Sequence, residues 1–555
     1  MTRQVLILNI TRMGDLVQMG ALLSRLHQEW PGASVDVIVD QRFASVASLL
    51  PGIRHVIAYD FHALIDETRA RVKDVVAFYR DMELWTKRLV ETRYDRIINL
   101  TFDRRSALLA GYIDAPDIRG VVSASDGTLV VRNPWLSYFT DCHAFRKLNR
   151  FNLVDIYALG GSGPGPAVSL SLHVPREAVE WATAFLQPEL QKVRTRIAVQ
   201  VGASDVMKAW RPEYFGQTLA CLSRRSAVGF LLIGTTEETA AMEQAKAAYR
   251  AAGGTAPWCE ALGRTTVAQL TALLTQCQLL LTNDTGPMHL AVGAGTPVVD
   301  LSVGHVNFWE TGPYGKGHWV VQPELVCAPC GFDMVCPHQA CKDQVLCEDV
   351  AALCLHALGT RPLPECRGGA RIYESTVDED GLGSFRLRRG RDDASTDWYG
   401  LFWRRFWYET FTNSPSLAAA PQGAPPDCEA ASRTLQELLV PAVTDLLAAS
   451  ATLHSLCRRH PVPVREVQRL HAELQTRQQA AVAVAMTMPL LAPVTAAFLR
   501  EVHNNDAEGL AQMARRHFEA YRAWEGRLRL VADRLRTAAE DGRGTAARPT
   551  SLAMR

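Results

Sequence analysis

Two short stretches of this chain place polar and charged side chains where α/β proteins do chemistry. Residues 279–301, LLLTNDTGPMHLAVGAGTPVVDL, read as a buried strand, a tight polar turn at Asn283, Asp284, Thr285 and Gly286, a helix start, and a glycine-rich return into a second strand. Asp284 and Thr285 stand where helix caps belong, and Gly286 frees the turn sterically. A helix that begins this way turns its unpaired N–H groups and positive dipole end into the crevice above the sheet. That is a ready site for a diphosphate. Alone, the stretch also fits an ordinary capped strand-to-helix connection. The pattern recurs near the N-terminus. A short apolar strand at 5–9 runs into Thr11, Arg12, Met13, Gly14, Asp15 and Leu16, then into a helical pattern through Leu22, Leu23 and Leu26. Here a carboxylate, Asp15, stands at the helix start, a place that also suits a simple cap. Two such loops in separate halves suggest two Rossmann-like domains facing across a cleft.

The elements that must position these loops follow from the pattern. Strand candidates at 5–9, 35–39, 55–59, 96–99 and 118–122, with a helical stretch at 63–93, spell a doubly wound parallel sheet. A Gly/Pro-rich linker follows at 160–166. A second α/β unit has strands at 197–201 and 229–233 and helices at 214–224, 237–252 and 267–274, and ends near 358. The expected domains are 1–165, 166–365, a hairpin, aromatic helix and linker at 366–426, and a helical bundle or coiled-coil module at 427–545. The fold class is therefore α/β with a mostly helical C-terminal extension.

With 555 residues the chain has room for three domains. A net charge of +1 offers no bulk electrostatic case for nucleic acid or an anionic membrane. The N-terminus lacks the charged-then-apolar pattern of a secretory signal, which predicts a cytoplasmic protein. Thirteen scattered cysteines argue against a disulfide framework. The uncharged run 480–499 is long enough to span a bilayer, but it is Ala-rich and holds Pro489 and Pro493, so a buried bundle helix is expected. Residues 397–411, DWYGLFWRRFWYETF, carry an aromatic stripe at helical spacing. It would pack on a core or partner, or dock peripherally on a membrane.

Four motifs in order resemble glycosyltransferase family 9, the ADP-heptose heptosyltransferases of lipopolysaccharide core assembly, over roughly residues 1–358. They are Thr11-Arg12-Met13-Gly14-Asp15, Lys208-Ala209-Trp210-Arg211-Pro212-Glu213, Asn283-Asp284-Thr285-Gly286-Pro287-Met288-His289 with Gly295-Thr296-Pro297, and Cys327-x2-Cys330-x5-Cys336-x4-Cys341. The resemblance implies a GT-B fold, with the donor in the C-terminal domain and the acceptor facing the N-terminal one. It also implies inversion at the anomeric carbon with no cofactor or catalytic metal. Asp15 matches the family's catalytic aspartate, which takes the proton of the attacking hydroxyl. Lys208 matches its phosphate-binding lysine, and the helix start at Thr285, Gly286 and Met288 supplies N–H groups to the departing diphosphate. Ser204 lies in the same loop as Lys208. Glu237 or Glu238 follows a strand where a carboxylate would meet a ribose. His289 fits either a phosphate or sugar contact or a packed core histidine. The chain departs from the family at Leu301-Ser302-Val303-Gly304-His305, where members often carry a Gly-Pro-Thr-like turn.

The cysteine segment has knuckle-like spacing that could hold structural zinc or iron, or else consists of packed reduced thiols, and no metal is favoured. The expected function is transfer of a heptose-like sugar from a nucleotide donor, with ADP as its nucleotide, to a lipopolysaccharide-core or related glycan or glycolipid acceptor, at the cytoplasmic side of the inner membrane. Two alternatives stand beside it: a protein O-heptosyltransferase, and a non-catalytic scaffold on a degenerate transferase fold. The C-terminal helices would serve self-association.

Overall fold

The computed structural model describes residues 2–61, 75–332, 334–391 and 393–546. The chain divides into two compact units. One comprises Met1–Thr101, Tyr112–Arg119 and Arg150–Asp392, and the other Phe102–Gly111, Gly120–Asn149 and Asp393–Arg555.

The first unit contains both cleft loops. Its first sheet is built from β1 (Gln4–Leu8), β2 (Ser34–Asp40), β3 (His55–Tyr59) and β4 (Arg96–Asn99), parallel in the order β3-β2-β1-β4. The Val/Ile/Leu runs that predicted these strands are needed because β1 and β4 are covered on both faces. The helix expected at 63–93 lies partly outside the described residues, and its described part is Val75–Glu91. The glycines read as the start of a linker at 160 instead close a fully buried helix, Leu153–Gly161. Gly161 packs so close to Leu22 and Ile98 that no Cβ fits.

The second sheet uses β7 (Thr195–Gln200), β8 (Val228–Ile233), β9 (Trp258–Glu260), β10 (Leu279–Asn283), β11 (Val298–Leu301) and β12 (Trp319–Pro323), all parallel in the order β9-β8-β7-β10-β11-β12. A hairpin of β13 (Ala370–Val377) and β14 (Gly383–Arg389) adds antiparallel to β12, with Tyr373 opposite Val320. Ile197, Val199, Leu279, Leu281, Val299 and Leu301 form one face and pack on Trp210, Phe215 and Cys354. Strand alternation puts Gln200, Thr282 and Asp300 on the other face.

In the second unit, an antiparallel ribbon of β5 (Asp117–Ser123) and β6 (Leu129–Arg132) pairs Gly120 with Arg132 and Val121 with Val131. Its longest helices are Ala394–Thr412, Cys428–Cys457, Val464–Met486, Ala492–His503 and Leu510–Ala546. The aromatic stripe is core here: Trp403, Phe406 and Trp407 are at most 1% exposed, and the Trp403 indole N–H donates to the Leu490 carbonyl at 2.9 Å. That arrangement leaves these rings no surface on which to dock a membrane. The uncharged run 480–499 is not one straight helix either, because the chain bends by 117° at the break before Pro489. Proline lacks the N–H and clashes with the preceding turn. By length and composition, Cys428–Cys457 is the helix that could cross a membrane among the described residues. Its Val443, Leu446, Leu453 and Leu456 are buried, and it packs along Leu510–Ala546.

Trp407 stacks on Phe411 at 4.9 Å and on Trp403 at 6.0 Å. Trp407→Ala is expected to destabilise the second unit by about 3–5 kcal/mol, read from its guanidinium unfolding transition. A ring lying on the surface would lose less than about 0.5 kcal/mol.

Candidate active site

The carboxyl ends of β1, β7, β8 and β10 open into one cleft of about 830 Å³. Its wall carries Asp15 from the first sheet, and Ser204, Lys208, Glu237, Glu238, Asp284, Thr285, Gly286 and His289 from the second. The two glycine loops meet. A Cβ on Gly14 would lie 2.8 Å from the His289 ring, and one on Gly286 would lie 2.0 Å from the Met13 methyl. This close approach explains glycine at both turns.

Asp15 stands in the first turn of the helix Met13–Gln18. Its Oδ2 accepts from the Thr11 hydroxyl at 3.2 Å, and the Asn9 amide donates to its backbone carbonyl at 3.1 Å. One edge of Asp15 reaches the cleft, but protein crowds the rest. Loss of hydration pushes its carboxyl above the ordinary range, Arg12 and Thr11 pull it back, and the Asp284 charge adds to the rise.

Lys208 ends a one-turn helix, Val206–Lys208, capped by the Asp205 carboxylate on the Met207 N–H at 2.8 Å. The loop is braced from three sides. Asn283 accepts from the Trp210 N–H at 2.9 Å and donates to the Val201 carbonyl at 2.8 Å. The buried Trp210 indole donates to the Lys342 carbonyl at 2.9 Å, the Lys342 ammonium to the Val206 carbonyl at 2.8 Å, and Arg211 pairs with Asp343 at 2.7 Å. Gly304 has a φ of +65°, and a Cβ there would strike the Met207 carbonyl at 2.1 Å. The Lys208 N–H donates to the Asp205 carbonyl at 3.1 Å, but its ammonium makes no hydrogen bond or ion pair among the described residues and is left for a ligand.

Thr285 is the N-cap of Gly286–Gly293, but its side chain makes no capping bond. Its hydroxyl turns to the Gln200 carbonyl oxygen, which also accepts from Thr282 at 2.9 Å. Gln200 in turn donates to Glu238 at 2.9 Å. Asp284 is not a cap either: its Oδ2 accepts from the Thr311 hydroxyl at 2.5 Å. Met288 stands apart from the other expected residues. Its side chain is fully buried outside the cleft wall, and its N–H is taken by the Thr285 carbonyl at 3.1 Å. Pro287 has no N–H, so Gly286 is the first-turn donor left open.

The two glutamates differ. Glu238 is tied to Gln200 and to the Thr235 N–H, the latter at 2.8 Å. Glu237 is exposed at the rim, and the Thr235 hydroxyl holds its carboxyl below the ordinary range. His289 is buried, and desolvation lowers its pKa. Asp284 opposes that shift and Lys208 adds to it, so the ring is neutral near pH 7. Behind them Asp300 is fully buried with neither carboxyl oxygen bonded. Burial first, then the Asp284 charge, drives its pKa well up.

Gln18, Gln200 and Thr311 escape sequence reasoning as site residues. Glutamine and threonine there carry no motif, and only the fold turns them toward one space. The cysteines form no metal site that the structure displays. Among the described residues no group of three or more His, Cys, Asp or Glu side chains is arranged to hold a metal ion. The thirteen cysteines form no disulfide with one another. Burial pushes the Cys330 and Cys341 thiols up, and at Cys330 the neighbouring Cys327 adds to the rise. The observed work of this segment is bracing: Lys342 and Asp343 lock the Lys208 loop, and the Cys330 N–H donates to the Gly304 carbonyl at 3.0 Å.

The crystal structure of a family 9 glycosyl transferase from Veillonella parvula matches the fold with a TM-score of 0.50 at 18% identity, over 65% of this chain and 98% of that one. Two Rossmann-like halves with a cleft at the carboxyl ends of both sheets give the chain a GT-B architecture. Residues 83–341 match the model of glycosyltransferase family 9 (heptosyltransferase). Lipopolysaccharide heptosyltransferase 3 of Escherichia coli is 23% identical over 312 residues, 54% of this chain and 83% of its own length. Lipopolysaccharide core heptosyltransferase OpsX of Haemophilus influenzae is 44% identical over 54 residues, 10% of this chain and 15% of its own.

Proposed function

We propose that the protein transfers heptose, with inversion, from ADP-heptose to a lipopolysaccharide-core glycolipid, and does so without a metal. The observation that carries this reading is the meeting of the Asp15 loop with the Lys208 and Gly286 loops across one cleft. The names of the Escherichia and Haemophilus relatives support heptose and a lipopolysaccharide acceptor. In this reading residues 1–165 present the acceptor and 166–365 hold the donor.

Asp15 takes the proton of the acceptor hydroxyl as the oxygen attacks the anomeric carbon and the bond to the diphosphate breaks. A carboxylate with a raised pKa is a stronger base than an ordinary one, and it still ionises at neutral pH if the rise stays below that range. Lys208 and the Gly286 N–H meet the negative charge that grows on the leaving diphosphate. Glu237, exposed at the rim past β8, is placed to accept from ribose hydroxyls, while Glu238 holds Gln200 in place. Neutral His289 donates or accepts without competing for the phosphate charge. The expected stability gain from nucleotide is the direct test. ADP at about 100 times its Kd should raise stability by roughly 2.7 kcal/mol, seen as a thermal shift, with UDP, GDP and CMP giving less. A larger shift with UDP or GDP would overturn the ADP assignment, and no shift with any would overturn the donor site.

A further inference from the structure

Gln18 lies in the cleft wall with its side chain almost wholly buried, at 1% exposure, and makes no side-chain hydrogen bond among the described residues. Its amide Nε2 is sealed from solvent without a partner. Natural proteins rarely leave a buried amide unbonded, and such groups collect where a ligand completes them. Gln18 lies three residues after Asp15 on the helix Met13–Gln18, so the two side chains share a face, one turn apart. The donor-side groups Lys208, Glu238 and Gly286 all come from the other half of the cleft. We infer that Gln18 is an acceptor-specificity residue, whose amide binds a hydroxyl of the acceptor sugar next to the hydroxyl that Asp15 deprotonates.

A sugar hydroxyl both donates and accepts, so it satisfies either end of the amide, and rotation of the terminal amide exchanges the two ends at little cost. The inference rests on Asp15 acting as the base. Gln18→Met keeps the length and removes both polar ends. The probes are ADP-heptose and a de-acylated lipopolysaccharide core lacking heptose. The acceptor KM should rise about tenfold or more, while the donor KM and the slow hydrolysis of ADP-heptose by water stay unchanged. The Tm should hold or rise, because an unbonded buried amide is gone; a packing role would lower it. An unchanged acceptor KM, or a rise in donor KM in its place, overturns the assignment. Asp15→Asn measured alongside separates the two readings. Lost transfer there with unchanged kinetics in Gln18→Met sinks Gln18 alone, whereas surviving transfer sinks the base and this inference with it.

Discussion

Asp15→Asn should lower kcat by about 10²- to 10⁴-fold while ADP affinity changes by no more than about twofold. The amide keeps the shape and the Thr11 contact but has no lone pair basic enough to take the hydroxyl proton. The pH dependence supplies an independent check. The base works ionised, so kcat/KM falls as pH drops through the Asp15 pKa. Burial raises that pKa above the ordinary carboxylate range of about 4, so the acid limb of the profile should sit above it. The stability effect has the opposite sense. A carboxyl raised by folding contributes stability that is fully present below its unfolded pKa and is lost as pH rises through the folded one. At neutral pH the Asn variant should therefore melt no earlier than the parent protein. Full activity in this variant, or an acid limb at or below the ordinary range, would remove Asp15 as the base.

Lys208→Met should lower kcat/KM by about 10²- to 10³-fold, with most of the loss in kcat. Among the described residues the ammonium has no partner to neutralise it, and the loop that carries it is fixed by Asn283, Trp210 and Lys342, so its charge is held ready before the bond breaks. Steady-state kinetics with a varied donor separates the outcomes. A rise in donor KM with kcat intact would make Lys208 a ground-state phosphate contact only. The lysine also holds down the pKa of His289, so His289 should titrate higher in the variant, observable by NMR of its ring protons.

Much of the site was legible from particular residues. A strand of apolar residues ending in a polar, glycine-bearing turn with Asp15 or Asp284 beside it has few structural solutions, and both stretches fold as strand, turn and helix. Local pattern failed where a residue's partner is distant in sequence. Thr285 has the right type for a helix cap, yet Gln200, from another strand, claims its hydroxyl. Met288 lies within the motif, yet the helix turns it into the core. The glycines at 160 and 161 look like a linker, yet both lie in a buried helix, and Leu22 and Ile98 close on Gly161. The aromatic stripe shows the same limit, because its periodicity cannot say whether lipid, a partner or the chain itself covers it.

The sequence by itself determined the strand and helix types, the parallel α/β class and the positions of Asp15, Lys208 and the 283–289 turn, because these depend on side-chain periodicity and on turn chemistry within a few residues. Only the tertiary structure decided the rest. It assigned Gly120–Asn149 to the helical unit, set the hairpin of β13 and β14 on the edge of the second sheet, made the cysteine segment a brace for Lys208, and left Gln18 unbonded in the cleft wall. Those outcomes turn on which surfaces and which buried polar groups find partners, and that competition runs between residues tens to hundreds of positions apart, beyond the reach of any local pattern.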